Sequence, residues 1–136
     1  MNGAELMRKV TAGFAQSDLQ PLLAAVHPDI VWKAASKSGP FRFSGVHKGR
    51  AGLIDVLGQI AMDYTFHRLD EKEITAGDNV VWGLFDATLS YNPKAADTRR
   101  SEIDLEIAIH WRLKDGKIIE HQAFFDTAML LLPQDG

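Results

Sequence analysis

The sequence predicts an α+β fold in which three helices of the N-terminal half pack against one face of a strongly bent sheet. The first observation is a strand-like stretch in which apolar and polar side chains alternate strictly; its apolar phase holds Ile103, Leu105, Ile107, Ile109, Trp111 and Leu113. Asp115-Gly116 follows, a pair that favours the positive φ angles of a hairpin turn. The second observation is the order of the patterns along the chain: helical periodicity comes first, and strand-like alternation comes later. Such a long strand twists, so the sheet should curl around an apolar hollow.

The three helices are predicted from capping residues and apolar periodicity. Asn2 and Glu5 have the spacing of a capping box, which starts a first helix that ends near Gln16. The segment 17–20 repeats that capping pattern before a short second helix. A third helix starts between residues 49 and 52, and its apolar face is wide enough to cover a sheet.

The strands are predicted from alternation between turn-forming residues. A short strand at 30–34 precedes a loop, residues 35–48, that is rich in Ser, Gly and Pro. Phe41 and Phe43 are too apolar for a solvated loop, so we expect them to fold over an opening. Longer strands follow and form an antiparallel meander; they are predicted at 64–74, 79–91, 101–114 and 117–126.

Composition limits the classes of function. The 136 residues suit one domain, 1–136, and a net charge of −3 with mixed signs gives no footprint for nucleic acid. The absence of cysteine excludes disulfides and thiolate chemistry. No segment approaches the about 20 apolar residues of a membrane span, and the start lacks a signal peptide. We therefore predict a cytoplasmic protein without membrane attachment. The His, Asp and Glu residues lack the spacing of metal ligands, so we predict no metal site, and we predict no cofactor.

The order and spacing of five short motifs resemble the nuclear transport factor 2-like superfamily, and its SnoaL-like branch in particular. The resemblance runs from about Leu6 to Leu130 and rests on Ser17-Asp18-Leu19, Pro28-Asp29-Ile30-Val31-Trp32, Ser44-Gly45-Val46-His47-Lys48-Gly49, Asp115-Gly116-Lys117-Ile118 and Glu120-His121. It implies a single SnoaL-like domain shaped as a conical half-barrel, with a deep apolar cavity and usually as a homodimer. Fold alone decides little about function in this superfamily, whose members include isomerases, cyclases, hydrolases and proteins without known catalysis.

The resemblance also assigns catalytic positions, and this sequence departs from most of them. The base, the oxyanion donor and the acid of ketosteroid isomerases fall at Ala34, Val10 and Ile109, none of which can move a proton. The Asp-Arg-Asp set of epoxide hydrolases falls at Asp86, Leu84 and Ala123. The acid of SnoaL-like cyclases also falls at Ala123, while His121 matches the Glu-His-Trp motif of that branch.

Hairpin pairing and the implied fold point to a candidate site. With Ile109 and Trp111 facing the cavity, the last strand should turn Ile119, His121, Ala123 and Phe125 inward. The strand at 79–91 should likewise turn Trp82, Leu84 and Asp86 inward. Asp86 and His121 then form a candidate catalytic dyad, in which a carboxylate orients an imidazole that acts as a general base. The alternative is a structural hydrogen-bonded pair, or two residues exposed at the sheet edge. The predicted ligand-binding residues are Trp32, Phe41, Phe66, Trp82, Ile109, Trp111 and Phe125.

Three functions remain open from the sequence. The first is an enzyme that takes a small hydrophobic molecule and moves a proton through Asp86 and His121. The second is a binding or carrier module with the same cavity and no chemistry, because apolar walls with a few polar groups are typical of small-molecule sites. The third is an interaction domain that uses the convex sheet face around Glu106, His110 and Arg112. The aromatic residues also fit an ordinary core, without a cavity.

Overall fold

The computed structural model describes residues 2–34, 41, 43–92, 102–127 and 130. The helices among these residues are α1 (Gly3–Ala15), α2 (Gln20–Ala25) and α3 (Gly49–Asp63). The strands are β1 (Val26–Ala34), β2 (Gly45–Lys48), β3 (Tyr64–Gly77), β4 (Val80–Tyr91), β5 (Ile103–Lys114) and β6 (Lys117–Phe124). Residues 35–40 and 93–101, on which part of two predicted loops falls, lie outside the described residues.

The six strands form one curved, open sheet in the order β2-β1-β6-β5-β4-β3. β1 runs parallel to β6, and the other neighbouring pairs are antiparallel. Register shifts interrupt the β1/β6 pair, the β5/β6 pair and, at two places, the β3/β4 pair. Because a bulge bends its strand and raises the local twist, these shifts favour the curl. The predicted α+β fold with a strongly bent, mixed sheet is confirmed.

α1 begins where the capping pattern predicts. Asn2 Oδ1 accepts a hydrogen bond from the backbone N–H of Glu5 at 2.8 Å, which satisfies one of the free N–H groups of the first turn. Met7 and Val10 are buried, as their helical spacing indicates. Arg8, on the exposed side, forms an ion pair with Glu71 of β3 at 2.9 Å. α1 therefore packs on the side of the sheet that faces the core.

The predictions for the next segment were partly wrong. The second capping box does not form, because Ser17 adopts a left-handed φ of 61° and Leu19 is the N-cap without a side-chain hydrogen bond. β1 begins at Val26, ahead of the short strand predicted at 30–34, and β2 lies inside the predicted loop. Pairing with β6 and β1 respectively extends these two segments, a long-range effect that local residue preferences do not carry.

The β5/β6 hairpin matches its sequence pattern closely. The apolar phase of β5 is buried through Trp111, and the opposite phase is more exposed. Asp115 and Gly116 have φ angles of 55° and 75°, so both supply the positive φ of a tight hairpin turn. A register shift then displaces β6 by one residue near the turn. As a result Ile118 is fully buried, whereas Ile119, which was predicted to face inward, is only half-buried.

The predicted facing of β4 was wrong by one residue. Val81 lies opposite Trp111 and Phe85 lies opposite Ile107, so these residues face the core, whereas Trp82 lies opposite His110 on the outer face. Side chains directly opposite in an antiparallel pair share a face, and a slip of one residue exchanges the two faces. Both phases of this strand carry large apolar residues, so alternation alone could not choose between them.

Glycine permits close packing of α1 on β4. A Cβ placed on Gly83 would lie 2.5 Å from Met7 Sδ and 2.6 Å from a ring carbon of Phe85, well inside van der Waals contact. Gly83 pairs with Ile109 of β5 and so belongs to the core-facing phase.

A search for membrane-spanning helices over the described residues found none with the required length and apolar character.

Candidate functional site

A cavity of about 130 Å³ lies between the helices and the core-facing side of the sheet. Its wall is almost wholly apolar and includes residues of α1, α2 and α3 and of β1, β3, β4, β5 and β6. The aromatic members are Phe14, Trp32, Phe43, Tyr64, Phe66, Trp111 and Phe125, and the aliphatic members include Val10, Leu22, Ala34, Ile60, Leu69, Leu89, Leu105, Ile107, Ile109, Ala123 and Leu130. The curl of the sheet thus leaves space that its own side chains do not fill.

His121 is the central polar group of this wall. It pairs with Trp32 of β1 on one side and with Trp111 of β5 on the other, so the three rings form one row across three adjacent strands. The Trp111 Nε1–H donates a hydrogen bond to His121 Nδ1 at 3.0 Å. The Trp32 ring stacks on the imidazole, with centroids 3.5 Å apart and planes inclined by 9°.

The surroundings of His121 keep its imidazole neutral. The residue is 6% exposed, and burial, followed by the positive charge that His110 can carry, lowers its pKa from 6.5 to about 3. A buried imidazolium would lose its hydration without gaining a carboxylate in this row. His121 therefore acts near neutral pH as a hydrogen-bonding group and not as a cation.

Aromatic rings surround one end of the cavity. Phe43 makes an edge contact with Tyr64 at 5.8 Å between centroids and a tilted contact with Phe125 at 6.4 Å. Phe41 stacks on Phe43 at 5.1 Å and is not itself part of the cavity wall. His47 Nε2 lies 3.0 Å from the Phe43 carbonyl oxygen, which fixes this segment to β2.

Five of the predicted ligand-binding residues line the cavity: Trp32, Phe66, Ile109, Trp111 and Phe125. Phe41 reaches it only through Phe43. Trp82 does not reach it, because the corrected facing of β4 places its ring on the outer face, 46% exposed and 4.5 Å from His110. The role of the five as ligand contacts stays a prediction.

The predicted dyad of Asp86 and His121 does not form, because the sheet separates the two side chains. Asp86 lies opposite Glu106 on the outer face, while His121 shares the inner face with Trp111. The Asp86 carboxylate is 44% exposed and lies 3.9 Å from Lys72 Nζ. The group that hydrogen-bonds the His121 imidazole is the Trp111 indole, where the sequence had predicted the Asp86 carboxylate.

Sequence reasoning missed several wall residues. Leu105 and Ile107 share the alternating phase of Ile109 and Trp111, so the pattern itself contained this signal. Phe43 was predicted to fold over an opening but was not named as a ligand contact. Tyr64 lacked a local signal, since it opens β3 directly after α3. Within the described ranges, no cluster of three or more His, Asp or Glu side chains could hold a metal ion.

Three solved structures illustrate the fold at low sequence identity. An NTF2-like protein of unknown function from Burkholderia pseudomallei has a TM-score of 0.81 and 20% identity, covering 93% of this chain and 92% of its own. TerC, co-crystallized with polyporic acid, has a TM-score of 0.77 and 23% identity, covering 93% of both chains. A protein from Mesorhizobium loti, proposed to be a SnoaL-like polyketide cyclase, has a TM-score of 0.69 and 17% identity, covering 91% and 99%.

A search of curated proteins gave no match. At these identities the solved structures establish the fold and leave the ligand open. The family model of the SnoaL-like domain matches residues 7–121, which is most of the chain. The protein therefore belongs to the SnoaL-like domain family and has the NTF2-like fold.

Proposed function

We propose that the protein binds a small, largely apolar molecule in the cavity and acts as a binding or carrier module. The observation that carries this proposal is the hollow of about 130 Å³ with its apolar wall. An apolar protein cavity of about 150 Å³ can stay dry and accept benzene, so a single six-membered ring matches this space. TerC, which shares the fold, was co-crystallized with polyporic acid, and that supports a small-molecule role for the fold.

The geometry favours binding over proton transfer. A general base needs a free lone pair within reach of the substrate proton. In His121 the Nδ1 lone pair accepts the Trp111 N–H, and the carboxylate of Asp86 is on the opposite face of the sheet. Lys33 adjoins the cavity, but its side chain belongs to the outer face of the sheet, where its Nζ forms an ion pair with Glu120 at 3.2 Å.

The proposal is tested by adding methylenecyclohexane, an apolar six-membered ring, to protein labelled with ¹⁵N. The three tryptophans give an internal control in the NMR spectrum. The indole N–H signals of Trp32 and Trp111, which line the cavity, should shift with saturation, and that of Trp82 should not. Absence of any saturable shift, or equal shifts of all three signals, would refute binding in the cavity.

A matched pair of variants locates the binding. Ala123→Leu adds three carbon atoms inside the cavity, so the saturable shifts should disappear. Ala51→Leu makes the same chemical change on the exposed surface of α3 and should bind like the wild type. Equal binding by both variants would contradict the proposed location.

We also propose that the protein forms a homodimer through the outer face of its sheet. Apolar side chains occupy the middle of this face, where Trp82 is 46% and Phe124 is 45% exposed and their rings are 6.1 Å apart. Leu84 and Ala108 adjoin them in the same phase. Exposed apolar patches with polar rims are typical of protein interfaces.

The charges around this patch favour a second copy as the partner. Toward one end of this face acidic residues outnumber basic ones: Asp70, Glu73, Asp86, Asp104 and Glu106 with Arg68 and Lys72. At the other end three basic residues outnumber one acidic residue: Lys33, Lys48 and Arg112 with Glu120. A two-fold axis that lies in the interface, passes through the apolar middle and runs perpendicular to the line joining the two ends places the acidic end of one copy on the basic end of the other.

Sedimentation velocity measures the oligomeric state. The wild type should sediment as a dimer, and Trp82→Glu should shift it toward monomer because a carboxylate would be buried at the centre of the interface. Ile54→Glu places the same charge on the exposed surface of α3 and should remain dimeric. A monomeric wild type, or a dimeric Trp82→Glu variant, would refute this interface.

A further inference from the structure

The hydrogen bonds of His121 define which ring nitrogen carries its proton. Nδ1 accepts the Trp111 indole N–H at 3.0 Å, and an indole nitrogen can only donate. In a neutral imidazole one nitrogen accepts and the other donates, so the proton is on Nε2. The stack with Trp32 fixes the plane of the ring. His121 therefore presents a hydrogen-bond donor in a fixed direction.

This donor has no partner among the described residues. His121 belongs to the cavity wall and is 6% exposed. Its Nε2 is not among the side-chain atoms that lack both accessible surface and a hydrogen-bond partner. Nε2 therefore retains open surface, which the surrounding structure places in the cavity. Leaving a buried N–H unpaired costs free energy, so a group that pairs with it gains affinity.

A water molecule is a poor partner for this donor. Buried waters typically make about three hydrogen bonds to polar groups. The nearby wall is apolar, and the Thr11 hydroxyl, which also lines the cavity, donates to the Met7 carbonyl oxygen at 2.8 Å. A ligand that combines an apolar ring with one acceptor atom would satisfy the donor and fill the space together.

Resting on the proposed binding function, we infer that the ligand is a neutral ring compound with an acceptor oxygen, such as a cyclic ketone, which accepts from His121 Nε2–H. A carboxylate is disfavoured because the cavity would strip its hydration, and the neutral imidazole cannot balance the charge. A hydrocarbon fits the space but leaves the donor unpaired.

The test compares two probes of the same shape. Cyclohexanone carries C=O where methylenecyclohexane carries C=CH₂, so their affinities differ through the hydrogen bond and through the hydration that the carbonyl loses. The ratio of the ketone affinity to the hydrocarbon affinity is therefore compared between the wild type and His121→Phe, because the lost hydration is the same in both. This ratio should be roughly two- to twelvefold higher in the wild type, which corresponds to one net hydrogen bond. Equal ratios would overturn the inference and leave the proposed function standing, whereas binding of neither probe to the wild type would refute the proposed function itself.

Variants assign the higher affinity ratio to the donor of His121. His121→Phe keeps a flat ring beside Trp32 and removes the donor, so the ratio should fall by that factor. Ala51→Leu, on the exposed surface of α3, should keep the ratio of the wild type. A ratio that falls equally in both variants would overturn the inference.

A measurement on the wild type remains decisive if His121→Phe does not fold. Infrared spectra of bound ¹³C=O cyclohexanone should show a lowered C=O stretching frequency relative to the ketone in hexane. The ¹⁵N NMR spectrum should show His121 protonated at Nε2, with that signal shifting on ketone binding. A C=O frequency unchanged from hexane, or a proton on Nδ1, would contradict the inference.

Discussion

Acidification should destabilise the protein through His121, and the effect can be worked out from its surroundings. Burial lowers the pKa of His121 from 6.5 to about 3. Between these values the unfolded chain binds a proton that the folded chain does not bind, so stability is lost as pH falls. Between pH 7 and pH 5 this linkage removes about 2 kcal/mol, at 1.36 kcal/mol per unit for one proton. The loss continues until about pH 3, where the folded protein also becomes protonated.

The His121→Phe variant isolates this contribution. Urea unfolding at pH 7 and at pH 5 should show that the wild type loses about 2 kcal/mol more than the variant does. The variant is also less stable at both pH values, by about 1–3 kcal/mol, because the Trp111 N–H loses its acceptor. That offset cancels when the two pH values are compared.

A second variant controls for destabilisation as such. Ile30→Val, at a fully buried position of β1, should cost about 0.5–1.5 kcal/mol at either pH and retain the dependence of the wild type. If His121→Phe and the wild type lose the same stability on acidification, His121 is not the buried neutral group described here.

Two further predictions concern β4. Gly83→Ala should lower the free energy of unfolding by about 1–3 kcal/mol in urea titrations, because the new methyl group overlaps Met7 Sδ and the Phe85 ring; unchanged stability would contradict the close packing of α1. Asp86→Asn should leave the affinity for cyclohexanone unchanged in NMR titrations, because Asp86 faces away from the cavity; a marked loss of affinity would return this residue to the site.

The sequence predicted the fold where its local signals agreed with the tertiary structure. In β5 only one phase is apolar, so burial and alternation coincide and the core face could be identified before the structure was known. The turn residues Asp115 and Gly116 fixed the return strand for the same reason. The resemblance to SnoaL-like proteins supplied the topology, which residue preferences do not encode.

The candidate site was predicted only in part, because facing depends on register. β4 offers Trp82 and Leu84 in one phase and Val81 and Phe85 in the other, and only its pairing with β5 decides between them. The error moved Asp86 across the sheet and created a dyad that does not exist. The hydrogen bond between Trp111 and His121 was not predicted, because it joins side chains whose alignment depends on a bulge near the turn.

The parallel pairing of β1 with β6 has a consequence for how the protein acquires its site. Lys33 and Glu120, which form an ion pair across this seam, are 87 residues apart along the chain. Contacts between such distant residues form slowly, because loop-closure entropy must be lost before they stabilise the chain. During synthesis the ring of Trp32 therefore lacks its stacking partner until His121 has been added to the chain. A chain that stops before β6 would expose apolar side chains of the wall, such as Trp32 and Trp111, a surface prone to aggregation.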